Sequence, residues 1–536
     1  MKKTNLVTCV AILLIITTML TACRKNSPTE SSTPSISEIN SINREHMAEV
    51  ITRSREKKMC DMDLDIAERE IAHATHYEMD MKLDVEKKKL SGHVIITIKN
   101  STNDEISDVV VRNYAAYTPQ NKDVRQSTIG NFKGEGGKSL AASTEKDPTI
   151  IRVDLLEPIK PNEETTISFD FENEIPQAKN RYGYVAYDGN LLFQLSFCFP
   201  SLSVYKGEEW NRNPFIYSGA EANYTTVSDY DVRIQVPDEY IVVATGQETT
   251  QGNGEYCIVG KNLREFALVI GNNLKKSSAI HDGIEISNYY YDYEGNKKYN
   301  EYSMKLAQAS FELYSQLIGE YPYEELDVVS VFMESAMEYP GLVMIGYPDA
   351  APEELKKLDI RKPYGDIMSH IPHEIAHQWF YGGIGNDPYK EPWLDEAFAE
   401  FFESYVFPIS GASVIEEMEA EKEDGTGWPF RTYADYYWLW TDMAKQIRYS
   451  NYINLPYDSY GQTSEGYSQH VYQGGAMFLY ELEQAMGEPT FFAMLQCYYK
   501  AYQFSEVTTK DFVEIVKLFD DSERVGEIVD KYINLK

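Results

Sequence analysis

The chain has 536 residues, 43% of them hydrophobic and 25% charged, with 84 Asp and Glu against 50 Lys and Arg and a formal net charge of −34. That length exceeds what one hydrophobic core fills, so several domains are expected, and the composition excludes a disordered, collagen-like or disulfide-dense chain. So acidic a surface repels phosphate backbones and anionic lipid, which argues against nucleic acid as a partner and requires any membrane attachment to be covalent.

Lys2 and Lys3 precede an apolar stretch from Leu6 to Leu20. It is shorter than the roughly 20 apolar residues that span a bilayer comfortably. A basic start, a short apolar core and small residues at its end predict a signal peptide over residues 1–22. The stretch closes with Leu20-Thr21-Ala22-Cys23, which resembles a bacterial lipobox. Cleavage before Cys23 and lipidation of its sulfur are therefore expected, giving an extracytoplasmic protein anchored to a membrane by lipid. A plain signal peptide with an incidental Cys23 is the alternative. Residues 23–42, rich in Ser, Thr, Pro and Asn, are expected to form the anchor and a flexible tether. Residues 43–75 read as a helical lead-in. Cys60, Cys198, Cys257 and Cys497 show no paired ligand spacing, and free thiols or a disulfide fit equally well.

From Tyr77 the apolar residues alternate: Tyr77, Met79, Met81 and Leu83 are separated by charged ones. Short β-rich runs divided by turn residues continue to Phe266–Ile270 and predict an antiparallel β domain over residues 76–272. Within it, Gly134 to Ser139 imitates part of a phosphate loop. The glycine such a loop needs five residues before Gly137 is Phe132, so a charged surface turn is expected instead. Residues 273–536 read as a mainly helical domain, opening with a helix over Met304–Leu317 and a buried strand over Asp327–Phe332. The fold class is therefore α+β and multidomain.

The chemistry-bearing stretch runs from His370 to Glu403. His373-Glu374-Ile375-Ala376-His377 places two histidines at i and i+4 on one helical face, where both imidazoles reach one ion. Glu374, beside them, is placed to take a proton from a metal-activated water. Glu396 follows in a second helix entered after Pro392, and completes a His-His-Glu set that leaves a fourth position open. Glu400, one turn on, either orients a ligand histidine from behind or faces solvent.

The run His-Glu-Ile-Ala-His-Gln-Trp-Phe at 373–380, with Trp-Leu-Asp-Glu at 393–396, resembles the aminopeptidase N family of gluzincin metallopeptidases, which includes leukotriene hydrolase. Ala336-Met337-Glu338 resembles the family's Gly-Ala-Met-Glu-Asn motif, and Val471-Tyr472-Gln473-Gly474-Gly475-Ala476 its Tyr-x-Lys-Gly-Ala segment. The resemblance implies a thermolysin-like catalytic domain with one zinc on His373, His377 and Glu396, and Glu374 as base. It further implies that Glu338, flanked by Ala336 and Met337, binds the substrate's free α-amine and that Tyr472 stabilises the oxyanion. Gln194 is the candidate for the family's amine-site glutamine. The substrates implied are peptides with a free N-terminus. The large C-terminal helical domain of many relatives is expected to be absent. The chain departs from the pattern at Ser335, Tyr339, Gly474 and Ala397. Trp428, Tyr433, Tyr436, Tyr437, Trp438 and Trp440 either line the substrate channel or pack a core. Ser335 and Tyr339 keep open an endopeptidase or a hydrolase of non-peptide esters or epoxides. A surface binding lipoprotein on a retired peptidase fold is the alternative from another class. Oligomeric state and the preferred N-terminal residue stay open.

Overall fold

The computed structural model describes residues 36–57, 75–116, 127–216, 223–292, 297–333, 335–346, 364–409, 452–460 and 464–535. The signal segment, Cys23, Cys60 and the aromatic run from Trp428 to Trp440 lie outside them.

The N-terminal β domain is built on alternation. In Thr75–Asp84 the side chains of Tyr77, Met79, Met81 and Leu83 are buried while their neighbours face outward, the period-two signature of a half-buried strand. That strand lies in a seven-stranded sheet with the order Gln247–Gly252, Glu255–Leu263, Ser228–Gln235, Thr75–Asp84, Lys89–Lys99, Glu164–Glu174 and Ser127–Lys133. The ladders are antiparallel except where Thr75–Asp84 runs parallel to Ser228–Gln235, a pairing that a long crossover through the rest of the domain permits. A four-stranded sheet centred on Ile106–Arg112 and Ile150–Ile159 packs into the same core, as do Tyr240–Ala244, Leu268–Asn272, Asn190–Leu195 and Tyr182–Tyr187. The phosphate-loop imitation is a surface turn with no buried residue over Glu135–Gly137.

The following domain starts with a mixed sheet: β1 (Lys275–His281), β2 (Ile284–Tyr290), β3 (Glu325–Val331), β4 (Ala336–Tyr339) and β5 (Leu342–Gly346). Their order is β1-β2-β3-β5-β4, with β2, β3 and β5 parallel and β4 an antiparallel edge. Of the helices, α1 (Ile36–Glu56) precedes the β domain and α2 (Lys297–Leu317) makes the crossover from β2 to β3. Then follow α3 (Tyr364–Ala376), α4 (Trp393–Ile409), α5 (Ser464–Ser468), a π-helical turn (Gln469–Gly474), α6 (Gly475–Met486), α7 (Glu488–Tyr502), α8 (Thr509–Phe519) and α9 (Glu523–Tyr532). Thr508 and Asp511 close a capping box at the start of α8, satisfying two orphan amides reciprocally.

Two fully buried tryptophans hold the helices that bear the histidine motif and Glu396. The indole of Trp379, just past α3, donates to Gly319 O at 2.9 Å, and that of Trp393, opening α4, to Thr509 Oγ1 at 2.9 Å. The lead-in helix α1 begins at Ile36, inside the segment expected to be tether. It buries Met47, Val50 and Ile51 in the core of the helical domain, and His46 Nε2 meets Glu488 Oε2 at 2.6 Å. Apolar residues three and four apart on one face explain the docking.

Polar joints connect the domains, two of them with buried charged groups. Arg264, 3% exposed, donates from Nε to Tyr381 O at 2.6 Å and from Nη2 to Ser505 O at 2.9 Å. Gly385 makes room for that guanidinium: a Cβ there would lie 1.8 Å from Arg264 Cζ. The other joint is acidic. Oxygens of Glu248, Glu325 and Asp327 lie within 4.8 Å of one another, with the Lys276–Glu285 ion pair at 3.0 Å beside them. Burial first, and then the neighbouring carboxylates, raises Glu248 and Asp327 well above the usual carboxyl range. Burial also raises Glu325, against the pull of Lys276.

The folded joint therefore holds protons that the unfolded chain, ionising near pH 4, releases. Its stability is present at low pH and declines as pH rises above about 4. Glu248→Gln, which retains an acceptor for the Ala244 amide, is expected to raise Tm at pH 8 by about 2–4 °C and leave Tm at pH 4 unchanged. Thermal unfolding at the two pH values checks this; an equal shift at both would refute it.

Candidate active site

Helix α3 brings His373 and His377 together, with ring centroids 5.0 Å apart. Pro372 inside α3 lacks an amide to donate; its carbonyl accepts from the Tyr314 hydroxyl at 3.0 Å. Glu396 arrives on the first turn of α4, where Asp395 Oδ1 accepts the Glu396 amide and Asn386 Nδ2 donates to Asp395 Oδ2 at 3.1 Å. The result is that Glu396 Oε2 lies 3.3 Å from His373 Nε2 and 3.3 Å from His377 Nε2.

Those separations fit a metal. Ligand bonds of about 2.0–2.1 Å in tetrahedral geometry place donor atoms roughly 3.3–3.4 Å apart. The remaining imidazole nitrogens are held from behind: His377 Nδ1 donates to Phe380 O at 3.1 Å, and His373 Nδ1 faces Glu403 Oε2 at 3.4 Å. Both contacts turn Nε2 toward the shared point. Two imidazoles and one carboxylate with an open position form the donor set of a hydrolytic zinc site. Glu396 is drawn down to about 2 because its bonds to the two histidines outweigh its burial. Burial works against a charged His373, yet the bonds to Glu396 and Glu403 raise it well above the usual imidazole range.

Glu374 projects beside this set, 6% exposed, and its Oε2 has no hydrogen-bond partner among the described residues. An unsatisfied buried oxygen at this point suits a base awaiting water. Burial, and after it the charge of Glu338, raises Glu374 well above the carboxyl range. Glu338 sits on the edge strand β4 with Ala336 and Met337, all three buried. Among the described residues β4 stands at the end of its sheet, paired with β5, and a sheet edge is a template for an extended peptide.

Tyr472 comes from the π-helical turn between α5 and α6, and its ring stacks on His373 with a 5.8 Å centroid separation. Its hydroxyl donates to Glu396 Oε1. Burial, followed by the Glu396 charge, raises it well above the phenol range, so it stays a neutral donor. Gly475 lets that turn seat on α4, since a Cβ there would lie 2.2 Å from the Ala397 Cβ.

The structure thus gathers His373, His377, Glu396, Glu374, Glu338 and Tyr472 at one place. Gln194 is otherwise engaged: its Oε1 accepts from Phe332 N at 2.9 Å and its Nε2 donates to Asn180 O and Phe332 O. Its carboxamide ties the β domain to the end of β3. Glu403 went unread in the sequence although it lies two helical turns from Glu396, on the same face of α4. Glu400 also lies close, with an oxygen in the group it forms with His373 and Glu403.

Residues 302–532 match the model of the peptidase family M1 domain. The chain is 22% identical over 460 residues to puromycin-sensitive aminopeptidase of Caenorhabditis elegans, covering 82% of this chain and 44% of that protein. It is 25% identical over 197 residues to aminopeptidase N of Streptomyces lividans, covering 36% and 21%. The chain spans less than half the length of both curated relatives. Among solved structures, an M1 zinc metallopeptidase from Deinococcus radiodurans superposes with a TM-score of 0.56 at 17% identity, covering 86% of this chain and 94% of that one.

Replacing Glu403 with Gln removes the charge behind His373 while leaving every zinc ligand. Zinc affinity is expected to fall about 10- to 100-fold, read by competition with a chelator. Unchanged affinity would show that Glu403 does not hold the imidazole.

Proposed function

We propose, from the premise that residues 302–532 are an aminopeptidase N-like gluzincin domain of peptidase family M1, that the chain is a zinc aminopeptidase removing N-terminal residues from peptides. The observation that supports this best is the burial of a second carboxylate, Glu338 on the edge strand β4, close enough for its charge to act on Glu374 beside the His373, His377 and Glu396 set. A substrate's α-ammonium can there pair with Glu338. Solved M1 zinc metallopeptidases similar to this chain carry a glutamate-to-alanine substitution and hold L-tryptophan, L-arginine and, in the Deinococcus radiodurans protein, a Tyr-Ser-Ala substrate, ligands in keeping with exopeptidase action.

Zinc, when bound, supplies Lewis-acid polarisation and an acidified water. Glu338 holds the ammonium and so fixes the scissile bond one residue from the N-terminus. Glu374 takes the proton of the attacking water and delivers it to the leaving amine. Tyr472, kept neutral by burial, turns its hydroxyl from Glu396 to the oxygen that becomes anionic. β4 lines up the peptide backbone along its open edge.

Aminoacyl amides with free amines are expected to be hydrolysed and their N-acetyl counterparts left intact, while Tyr472→Phe lowers kcat about 10²- to 10³-fold with zinc retained. Undiminished cleavage of acetylated substrates would move the assignment to an endopeptidase or another hydrolase.

We also propose export and lipid anchoring at Cys23, supported by Lys2, Lys3, the apolar stretch to Leu20 and the lipobox resemblance. No helix among the described residues is long and apolar enough to cross a membrane. Cys23→Ala is expected to shift the protein from the detergent phase to the aqueous phase on partitioning; an unchanged distribution would rule the anchor out.

A further inference from the structure

We infer that Gln378 is the positioning residue that keeps Glu338 in register with the metal helix, an inference that rests on the aminopeptidase reading above. Gln378 is fully buried one residue past His377. Its Oε1 accepts from Gly341 N at 2.7 Å, and its Nε2 donates to Tyr339 O at 3.2 Å and to Glu374 O at 3.4 Å. One carboxamide thus joins the backbone of the base to both ends of the turn that follows Glu338. A side chain with both a donor and an acceptor is needed for this, and among the uncharged ones only an amide offers two donor hydrogens as well.

The turn is built to be held. β4 and β5 pair Glu338 with Val343 and Tyr339 with Leu342, leaving Pro340-Gly341 as the two-residue connection. Gly341 has φ +76°, and Pro340 before it has its φ restricted by its ring, the combination a type II turn requires. Gly341 O accepts from Asp327 N at 2.8 Å, so β3 fixes the turn from one side and Gln378 from another. A third contact comes from the β domain, where Ser196 Oγ bonds the Tyr339 hydroxyl. This last link uses the tyrosine that stands where the family motif has asparagine. Since Tyr339 is adjacent to Glu338, a slip of the turn moves the amine-binding carboxylate relative to the imidazoles. In an extended peptide, an error of about one ångström is enough to misplace the ammonium.

Gln378→Met keeps the volume and removes the three hydrogen bonds. The full chain lacking residues 1–23 would be compared with Glu338→Ala and the double variant for zinc content, kcat, KM and the rate ratio of free to N-acetylated aminoacyl amides. Titration calorimetry with L-tryptophan adds a direct binding readout. Gln378→Met is expected to hold about one zinc per chain, to raise KM about tenfold with kcat within about threefold, and to weaken L-tryptophan binding about tenfold. The double variant should be no worse than Glu338→Ala alone, because both changes remove the same contact. KM and binding unchanged in Gln378→Met while Glu338→Ala raises both would overturn the inference, as would losses that multiply in the double variant. Zinc loss in Gln378→Met would assign the residue to the metal site instead and equally overturn it. No effect of Glu338→Ala would remove the aminopeptidase reading itself. Should Gln378→Met not fold, Gln378→Asn, one methylene too short to span the turn and Glu374, carries the same expectations.

Discussion

A concentration of buried negative charge governs the architecture around the site. Glu338, Glu374, Asp395, Glu396 and Glu403 are all under 9% exposed, and His373 and His377 lie among them. Carboxylates removed from water repel one another strongly at low dielectric and stay ionised only against a counter-charge. Within the chain the imbalance is met by raised proton affinity: Glu374, Asp395, Glu403 and His373 are all shifted toward the protonated state. A divalent cation at the point shared by His373, His377 and Glu396 would offset part of this negative charge. The same imbalance therefore suits a metal cation at the His373, His377 and Glu396 donor set.

Holding such a site requires that nothing around it relax to separate the charges. This explains why its supports are large and fully buried: Trp379 and Trp393 fill space and donate indole hydrogen bonds to Gly319 and Thr509, while Arg264 reaches from the β domain to the carbonyls of Tyr381 and Ser505. Tyr381 itself has φ +104°, a backbone conformation costly for a residue with a side chain. Arg264 bonds its carbonyl and Glu265 its hydroxyl, so the β domain braces the strained turn directly after the metal helix. The β domain thus contributes to the site through its buried polar contacts.

How much of this could be read in the sequence depended on range. His373, Glu374 and His377 were legible because a helical repeat places them together without help from the rest of the fold. Glu396 was legible from its neighbours and from the turn-forming link before Pro392. The alternation from Tyr77 to Leu83 gave the first strand for the same local reason. Glu403 obeys the helical spacing too, yet a carboxylate at i+7 is common on exposed faces, and only burial beside His373 distinguishes it. For Gln194, a glutamine before an aromatic strand end does not reveal that Phe332, far along the chain, bonds its amide. The parallel pairing of Thr75–Asp84 with Ser228–Gln235 was hidden for want of any local mark. The start of α1 at Ile36 was masked by Ser and Asn, which favour caps and turns over helix interiors.

Tyr472 shows most clearly why local rules run out. A π-helical turn inserts one extra residue per turn and is poorly bonded, so no propensity predicts it. Its presence follows from contacts on both flanks. Gly475 must come within van der Waals contact of Ala397 to seat α6 on α4, and the His470 ring lies 4.8 Å from that of Tyr460 while His470 Nδ1 bonds Gly466 O at 2.7 Å. Between those fixed points the widened turn rotates Tyr472 until its ring lies over His373 and its hydroxyl over Glu396. An alanine in place of the family's glycine at 397 would crowd a side chain at 475, and the glycine there absorbs the difference. The position of the Tyr472 hydroxyl is therefore set by steric fit between two helices far apart in sequence, and the buried charge of Glu396 does the rest by accepting its hydrogen bond.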